Sequence, residues 1–230
     1  MSEQVQAFKS PTVLTTWIIR LLYLEVALAL VGAVSGAFEY QLLERLSHGL
    51  FATQGLAQSA AAANDQRQAA IGIAQMVVAF IAAILILRWI HRANYNARQL
   101  GAADMQFTPG WAIGWYFIPI ASLWKPYQAM KEIWRASADP GNWTSQPSSP
   151  LLSWWWFLWL LCNGLNQSSF RLMQHAQTIT DYEHASIVTL LSDLSTIPLD
   201  LVFLAIIKII YDRQMAHHRR MAQTAIPAQA

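Results

Sequence analysis

The chain is predicted to be all-α, a polytopic membrane helix bundle of four transmembrane helices plus a Pro/Trp-rich re-entrant or interfacial hairpin. Composition points there first: of 230 residues 55% are hydrophobic and only 12% charged, against about 25% charged in an average soluble domain. Apolar runs long enough to cross ~30 Å of hydrocarbon then recur along the chain. The basic residues flank those runs and form no continuous basic face, and a formal charge of +2 is too small to indicate a nucleic-acid partner. No repeat or low-complexity block divides the chain, so 1–230 reads as a single integral membrane domain.

The first span is 12–38, which contains Arg20 and Glu25. Ser35-Gly36-Ala37 has the small residues of a signal-peptide cleavage site, but Glu25 interrupts the apolar region, so an uncleaved helix is expected. A polar, alanine-rich connection is expected over 39–70, with a short amphipathic helix over 41–51. The second span, 71–90, is nearly uninterrupted and runs on into Arg88, Arg92 and Arg98 until Gly101 stops it.

The most informative stretch is 108–136. Thr108 is placed to cap a helix whose first residue is Pro109, where a missing N–H does no harm. Gly110 and Gly114 put two small residues on one face, able to accept a close helix neighbour. Trp111 and Trp115 belong to the same short segment, and Pro119 weakens it. A helix from Gly110 to Trp124 reaches roughly 22 Å, short of the hydrocarbon thickness. After Trp124-Lys125-Pro126, Tyr127, Met130 and Trp134 share one side of a helix and Lys131, Glu132 and Arg135 the other, the pattern of a segment lying in the membrane surface.

Residues 137–150 are a loop by their Pro and Gly content. The third span, 151–165, crowds Trp154, Trp155, Trp156 and Trp159 into its first turns, as an interfacial aromatic belt would. A polar outer loop is expected over 167–185. The fourth span, 187–211, holds Asp193, Pro198 and Asp200 and leads into a cytoplasmic basic tail at 212–230.

The run Phe107-Thr-Pro-Gly-Trp-Ala-Ile-Gly-Trp-Tyr-Phe-Ile-Pro119, followed by Leu123-Trp-Lys-Pro-Tyr-Gln-Ala-Met130 and Glu132-Ile-Trp134, resembles the signature of a bacterial membrane family, domain of unknown function 4328. The likeness is sharpest over 98–134 and extends over 71–211. It implies a multi-helix integral membrane protein and carries no catalytic residues with it.

Four spans with both termini inside give a clean division of the 15 basic residues: only Arg45, Arg67 and Arg171 fall outside. A full crossing by 110–124 would move Lys125, Lys131 and Arg135 outside and invert all that follows. With the bacterial origin that the family resemblance implies, the expected location is the bacterial inner (cytoplasmic) membrane, with the bilayer as first partner and other membrane proteins or a second copy as further ones.

Arg20, Glu25, Asp193 and Asp200 lie within apolar spans, where each costs about 2.5–3.5 kcal/mol at the bilayer centre if it faces lipid. Arg20 and Asp200 have similar expected depths and suit an ion pair; Asp193 and Asp200 are seven apart on one face. The four make either an intramembrane polar path for protons or ions, or a lock on helix packing. Both aspartates sit on one helix, against an aspartyl-protease reading. His48, His175 and His184 match no metal spacing, and the lone Cys162 reads as a small buried hydrophobe. No metal or cofactor is expected. The function expected is non-enzymatic, an accessory, scaffold or stress-related membrane protein; an ion- or proton-coupled transporter or channel is the alternative, and a lipid-modifying enzyme a weaker one.

Overall fold

The computed structural model describes residues 7–225, and every regular element among them is helical. Six α-helices follow in order: α1 Thr12–Ser47, α2 Gln54–Gln99, α3 Pro109–Gly114, α4 Lys125–Ala138, α5 Pro150–His175 and α6 Ile179–Ala225. Short 3-10 turns, Trp115–Phe117, Ile120–Leu123 and Pro140–Ser145, join α3 to α4 and follow α4.

Three helices, α1, α2 and α6, are long and apolar enough to cross a membrane, which suggests a membrane protein. The fourth predicted span, α5, is long enough at 26 residues but is not among them. Its tryptophans and the polar Asn163, Asn166 and Gln167 depress its mean hydropathy.

The helices outrun the spans the sequence predicts. The expected connection over 39–70 shrinks to residues 48–53, and the expected loop over 167–185 to residues 176–178. With 46 and 47 residues, α2 and α6 are each about 70 Å long, more than twice the hydrocarbon thickness. Polar helix beyond the lipid reads as loop in a sequence because hydropathy reports the solvent, not the backbone. Local chemistry sets the ends. Gly49 (φ +62°) and Gly101 (φ +108°) take the left-handed conformation that closes α1 and α2. In each case a 6→1 bond follows, Leu50 N–H to the Arg45 carbonyl and Ala102 N–H to the Ala97 carbonyl. At the start of α6, Asp181 accepts from the Gln177 and Thr178 N–H groups while Thr178 Oγ1 accepts from the Asp181 N–H, the reciprocal arrangement of a capping box. Those two N–H donors, with the Thr178 side chain, hold the Asp181 carboxyl below the usual aspartate range.

The chain forms two compact units. One comprises the described residues up to Arg20, Ala82–Trp156 and those from Val202 onward; the other is Leu21–Ile81 with Phe157–Leu201. The first has a large-residue core in which Trp89, Ile90, Met130, Ile133, Leu152, Ile206, Ile207 and Ile210 are fully buried. For Met130 and Ile133, which lie outside the predicted spans, burial contributes at most about 1.5–3 kcal/mol each. Two buried polar side chains orient the packing: Trp89 Nε1 donates to Thr15 Oγ1 at 3.0 Å, and Gln214 Nε2 donates to the Ala93 carbonyl and to Ser137 Oγ.

The second unit is built differently. Its buried residues are mostly small, among them Ala29, Ala33, Ser35, Cys162, Ala185 and Ser186, which lets helices approach closely. Polar side chains hold them together. Glu39 accepts from Asn64 Nδ2, Gln68 Nε2 and Ser186 Oγ, and Arg67 donates to Ser35 Oγ and to Asn64 Oδ1.

Candidate functional site: a buried carboxylate group and a capped hairpin

The second unit contains Glu25, Asp193 and Asp200. Asp193 Oδ1 accepts from Gln75 Nε2 at 3.0 Å, and the same amide donates to the Leu28 carbonyl at 3.3 Å. Gly32 makes room for this cluster: a Cβ there would lie 2.5 Å from Asp193 Oδ2 and 2.7 Å from Gln75 Nε2. Gln75 and Gly32 escape sequence reasoning, because a glutamine in an apolar run and a glycine among alanines announce nothing alone. Asp200 is buried at 6% exposure, and its Oδ2 has no hydrogen-bond partner among the described residues. Arg20 belongs to the first unit, where it is exposed and its guanidinium lies over the Trp17 ring, 5.2 Å from the centroid. Cys162 is a free, buried thiol.

The hairpin lies wholly in the first unit. Thr108 caps α3 as its sequence predicts, with Oγ1 accepting the Trp111 N–H at 3.3 Å and Pro109 opening the helix. The helix lasts six residues, tightens into a 3-10 turn, and is interrupted at Pro119. Ile120 then takes φ +47°, a left-handed conformation that costs a β-branched residue of order 1–3 kcal/mol. Among the described residues the expected close neighbour at Gly110 and Gly114 is not present. A Cβ on Gly110 would meet nothing within 4 Å, and one on Gly114 would meet the Trp111 ring at 3.2 Å. The glycine makes room for an indole of its own helix. Trp111 stacks obliquely on Trp115, with ring centroids 4.9 Å apart, and the Lys125 ammonium lies 5.6 Å from the Trp115 ring and 5.7 Å from that of Phe107.

The stretch 117–124 is apolar and uncovered: Phe117 is 71% and Ile120 74% exposed, with Ile118, Leu123 and Trp124 also exposed. Its base is firmly held. The Trp156 indole donates to the Leu123 carbonyl at 2.9 Å, and Tyr127 shares a hydrogen bond with Ser153. Pro126 and Trp134 are buried, and the Arg213 guanidinium covers the Trp134 ring at 4.5 Å. Glu132 corrects its sequence assignment to an outward face. It is buried, and its two carboxylate oxygens accept the N–H groups of Gln106 and Phe107. Helical periodicity does not reveal this, since the donors come from a loop 25 residues upstream. Burial pushes the Glu132 carboxyl above the usual carboxylate range, against the pull of those donors and of Arg98. From the other side Arg98 donates to the Met105 and Phe107 carbonyls and Asn94 to that of Phe107. The loop before the hairpin is thus fixed by α2 and α4 together.

Among the described residues no three His, Cys, Asp or Glu side chains come together in a way that would hold a metal ion. What these elements define is an all-helical protein with three helices long and apolar enough to cross a membrane, carrying a capped, Trp-rich hairpin. The profile of the family described as Domain of unknown function (DUF4328) matches residues 52–212, and the chain belongs to that family. The matched region includes the loop, the hairpin, Gln75, Asp193 and Asp200; Glu25 and Gly32 precede it. No curated protein and no solved structure matches the chain.

Proposed function

We propose that the chain is a four-span protein of the bacterial inner membrane, with both termini cytoplasmic, acting without catalysis as an accessory or scaffold whose hairpin contacts lipid or a membrane partner. The observation that carries this reading is the contrast within the hairpin. Its base is tied by Trp156, Tyr127, Glu132 and Arg98, while Phe117, Ile118, Ile120, Leu123 and Trp124 present an uncovered apolar tip. Irregular backbone at membrane depth needs cover from protein or a water-filled cavity, so the tip rests in the interfacial part of the cytoplasmic leaflet or against a partner. We take α5 as the fourth span, because indoles are favoured at the interface whatever their mean hydropathy and because Trp154, Phe157 and Leu161 face outward.

Reporter fusions test the topology: Ala62 and Gln174 outside, Gly101, Gly141 and Ala228 inside. An outside signal at Gly141 overturns the re-entrant hairpin. A spin label at Phe117→Cys in a Cys162→Ala background should be accessible to oxygen and shielded from an aqueous nickel chelate.

A second reading, an ion- or proton-coupled transporter, is favoured by Asp200, a buried carboxylate in an apolar span whose Oδ2 has no hydrogen-bond partner among the described residues, in the same unit as Glu25 and Asp193. The two readings separate on a deletion phenotype. Under the scaffold reading Phe117→Ser with Ile120→Ser removes complementation and Asp200→Asn does not; the opposite pattern supports transport.

A further inference from the structure

At the basic end of the second predicted span, Leu85, Arg88, His91, Arg92 and Tyr95 recur at spacings of three and four and so share one face of α2. A cavity of about 340 Å³ opens there, lined by Lys9, Arg88, His91, Arg92, Tyr95 and, from the hairpin, Ile113. Among the described residues no carboxylate lines it. Among the described residues these cations meet neutral groups: the Lys9 ammonium sits 4.6 Å over the Tyr95 ring, and Arg92 donates one N–H to the Ser10 carbonyl at 3.1 Å. Arg88 and His91 are exposed.

A second cavity, about 240 Å³, is lined by Val13, Leu14, Trp17 and Leu85 and shares Arg88 and Arg92 with the first. One is cationic with several N–H donors; the other is apolar apart from the two arginines common to both. A soluble anion uses only the first. A molecule with a phosphate joined to a hydrocarbon chain uses both at once, the guanidinium forks taking the phosphate oxygens and Trp17, Leu85 and Val13 taking the chain.

We propose that this paired cavity is a binding site for an anionic glycerophospholipid, with its phosphate between Arg88 and Arg92 and one acyl chain along α1. The proposal rests on the reading that α1 and α2 span a membrane, and it names the ligand that reading leaves open. The span's basic end is the depth at which headgroups lie, and cationic pockets between helices on that side suit anionic lipid. Lys9 adds a third charge and His91 a donor to the headgroup side. Ile113 brings the hairpin to the rim, so an occupied site also steadies α3.

The test uses the full chain, purified in a mild non-ionic detergent and stripped of lipid. Phosphatidylglycerol, phosphatidylcholine and soluble glycerol phosphate are titrated in turn, with retained ligand read by native mass spectrometry and melting temperature by tryptophan fluorescence. Phosphatidylglycerol should be retained and should raise the melting temperature. Arg88→Gln should weaken it at least about tenfold, as loss of a charge-assisted bidentate contact does, and Leu85→Gln should weaken the lipid while leaving glycerol phosphate unchanged. Arg88 is exposed, so its substitution does not threaten the core; Lys9→Gln, also exposed, repeats the test independently. Equal retention of phosphatidylcholine, or unchanged binding in both charge variants, overturns the proposal. A melting shift with glycerol phosphate matching that of the lipid overturns it too, in favour of a free-phosphate site. Alkaline carbonate washing of membranes separates the underlying reading: a chain that washes off refutes the spans, whereas a chain that stays but ignores phosphatidylglycerol refutes only the lipid site.

Discussion

Gly32 and Asp193 claim the same space: a Cβ on the glycine would stand 2.5 Å from Asp193 Oδ2, beside the carboxylate oxygen that accepts from Gln75. Gly32→Ala must therefore shift the Asp193 carboxylate or the Gln75 amide and is expected to disturb their 3.0 Å hydrogen bond. The expected loss is about 1–3 kcal/mol, the cost of overpacking combined with an unsatisfied polar group. The double variant Gly32→Ala, Asp193→Ala should recover part of it. Unfolding in detergent monitored by circular dichroism reads both, and equal losses in the single and double variants would show that the steric conflict is absorbed elsewhere.

Glu132 is expected to matter through the loop it holds. Glu132→Ala strands the N–H groups of Gln106 and Phe107, at a cost of about 1–3 kcal/mol. Glu132→Gln keeps one acceptor and should cost roughly half as much. Amide exchange at Gln106 and Phe107 should quicken in the order Gln then Ala, with the Leu151 end of α5 unaffected; a uniform increase would point to global destabilisation instead.

What the sequence made legible follows the range of the interactions involved. The Thr108 cap, the proline at the first turn of α3, the break at Pro119 and the stop at Gly101 depend on neighbours within a few residues, and each reads directly from residue type. Three apolar helices are equally legible, because lipid-facing composition is a property of the segment alone. The lengths of α1, α2, α5 and α6 are not. Their outer turns are polar and become ordered helix through contacts such as Glu39 with Ser186, separated by 147 residues. The inward turn of Glu132 and the fit of Gly32 to Asp193 belong to the same class, and so does the open space at Gly110 among the described residues.

The sequence assigns Arg20 and Asp200 similar depths on different helices and suits them to an ion pair. Arg20 is exposed with its guanidinium over the Trp17 ring, and Asp200 Oδ2 has no hydrogen-bond partner among the described residues. Arg20→Leu is therefore expected to leave the folded yield in detergent close to that of the wild type; a loss that the double variant with Asp200→Leu restores would establish the pair instead.

Asp181 supplies a pH-dependent end to α6. Its carboxyl lies below the ordinary aspartate range because the Gln177 and Thr178 N–H groups and the Thr178 side chain favour the charged form. A depressed folded value means that the cap's contribution is present above the unfolded pKa of about 3.9 and is lost as pH falls through the folded value. The Gln177 and Thr178 amide resonances should therefore move at acid pH in the wild type. In Asp181→Ala they should start displaced and no longer titrate; titration persisting in that variant would assign the effect to another group.

Arg98 and Asn94 reach the Met105 and Phe107 carbonyls over only 7 to 13 residues, whereas Glu132 reaches the same loop from 25 residues downstream. Closing a short loop costs little chain entropy, and synthesis delivers the near partners first. The turn is therefore expected to assemble in sequence as the chain emerges, with α2 gripping the carbonyls before α4 exists to fasten the amides. A nascent chain stalled with Thr108 exposed and Glu132 still inside the ribosome should already protect this turn from protease, and Arg98→Gln should abolish that protection while leaving a finished chain able to close it through Glu132.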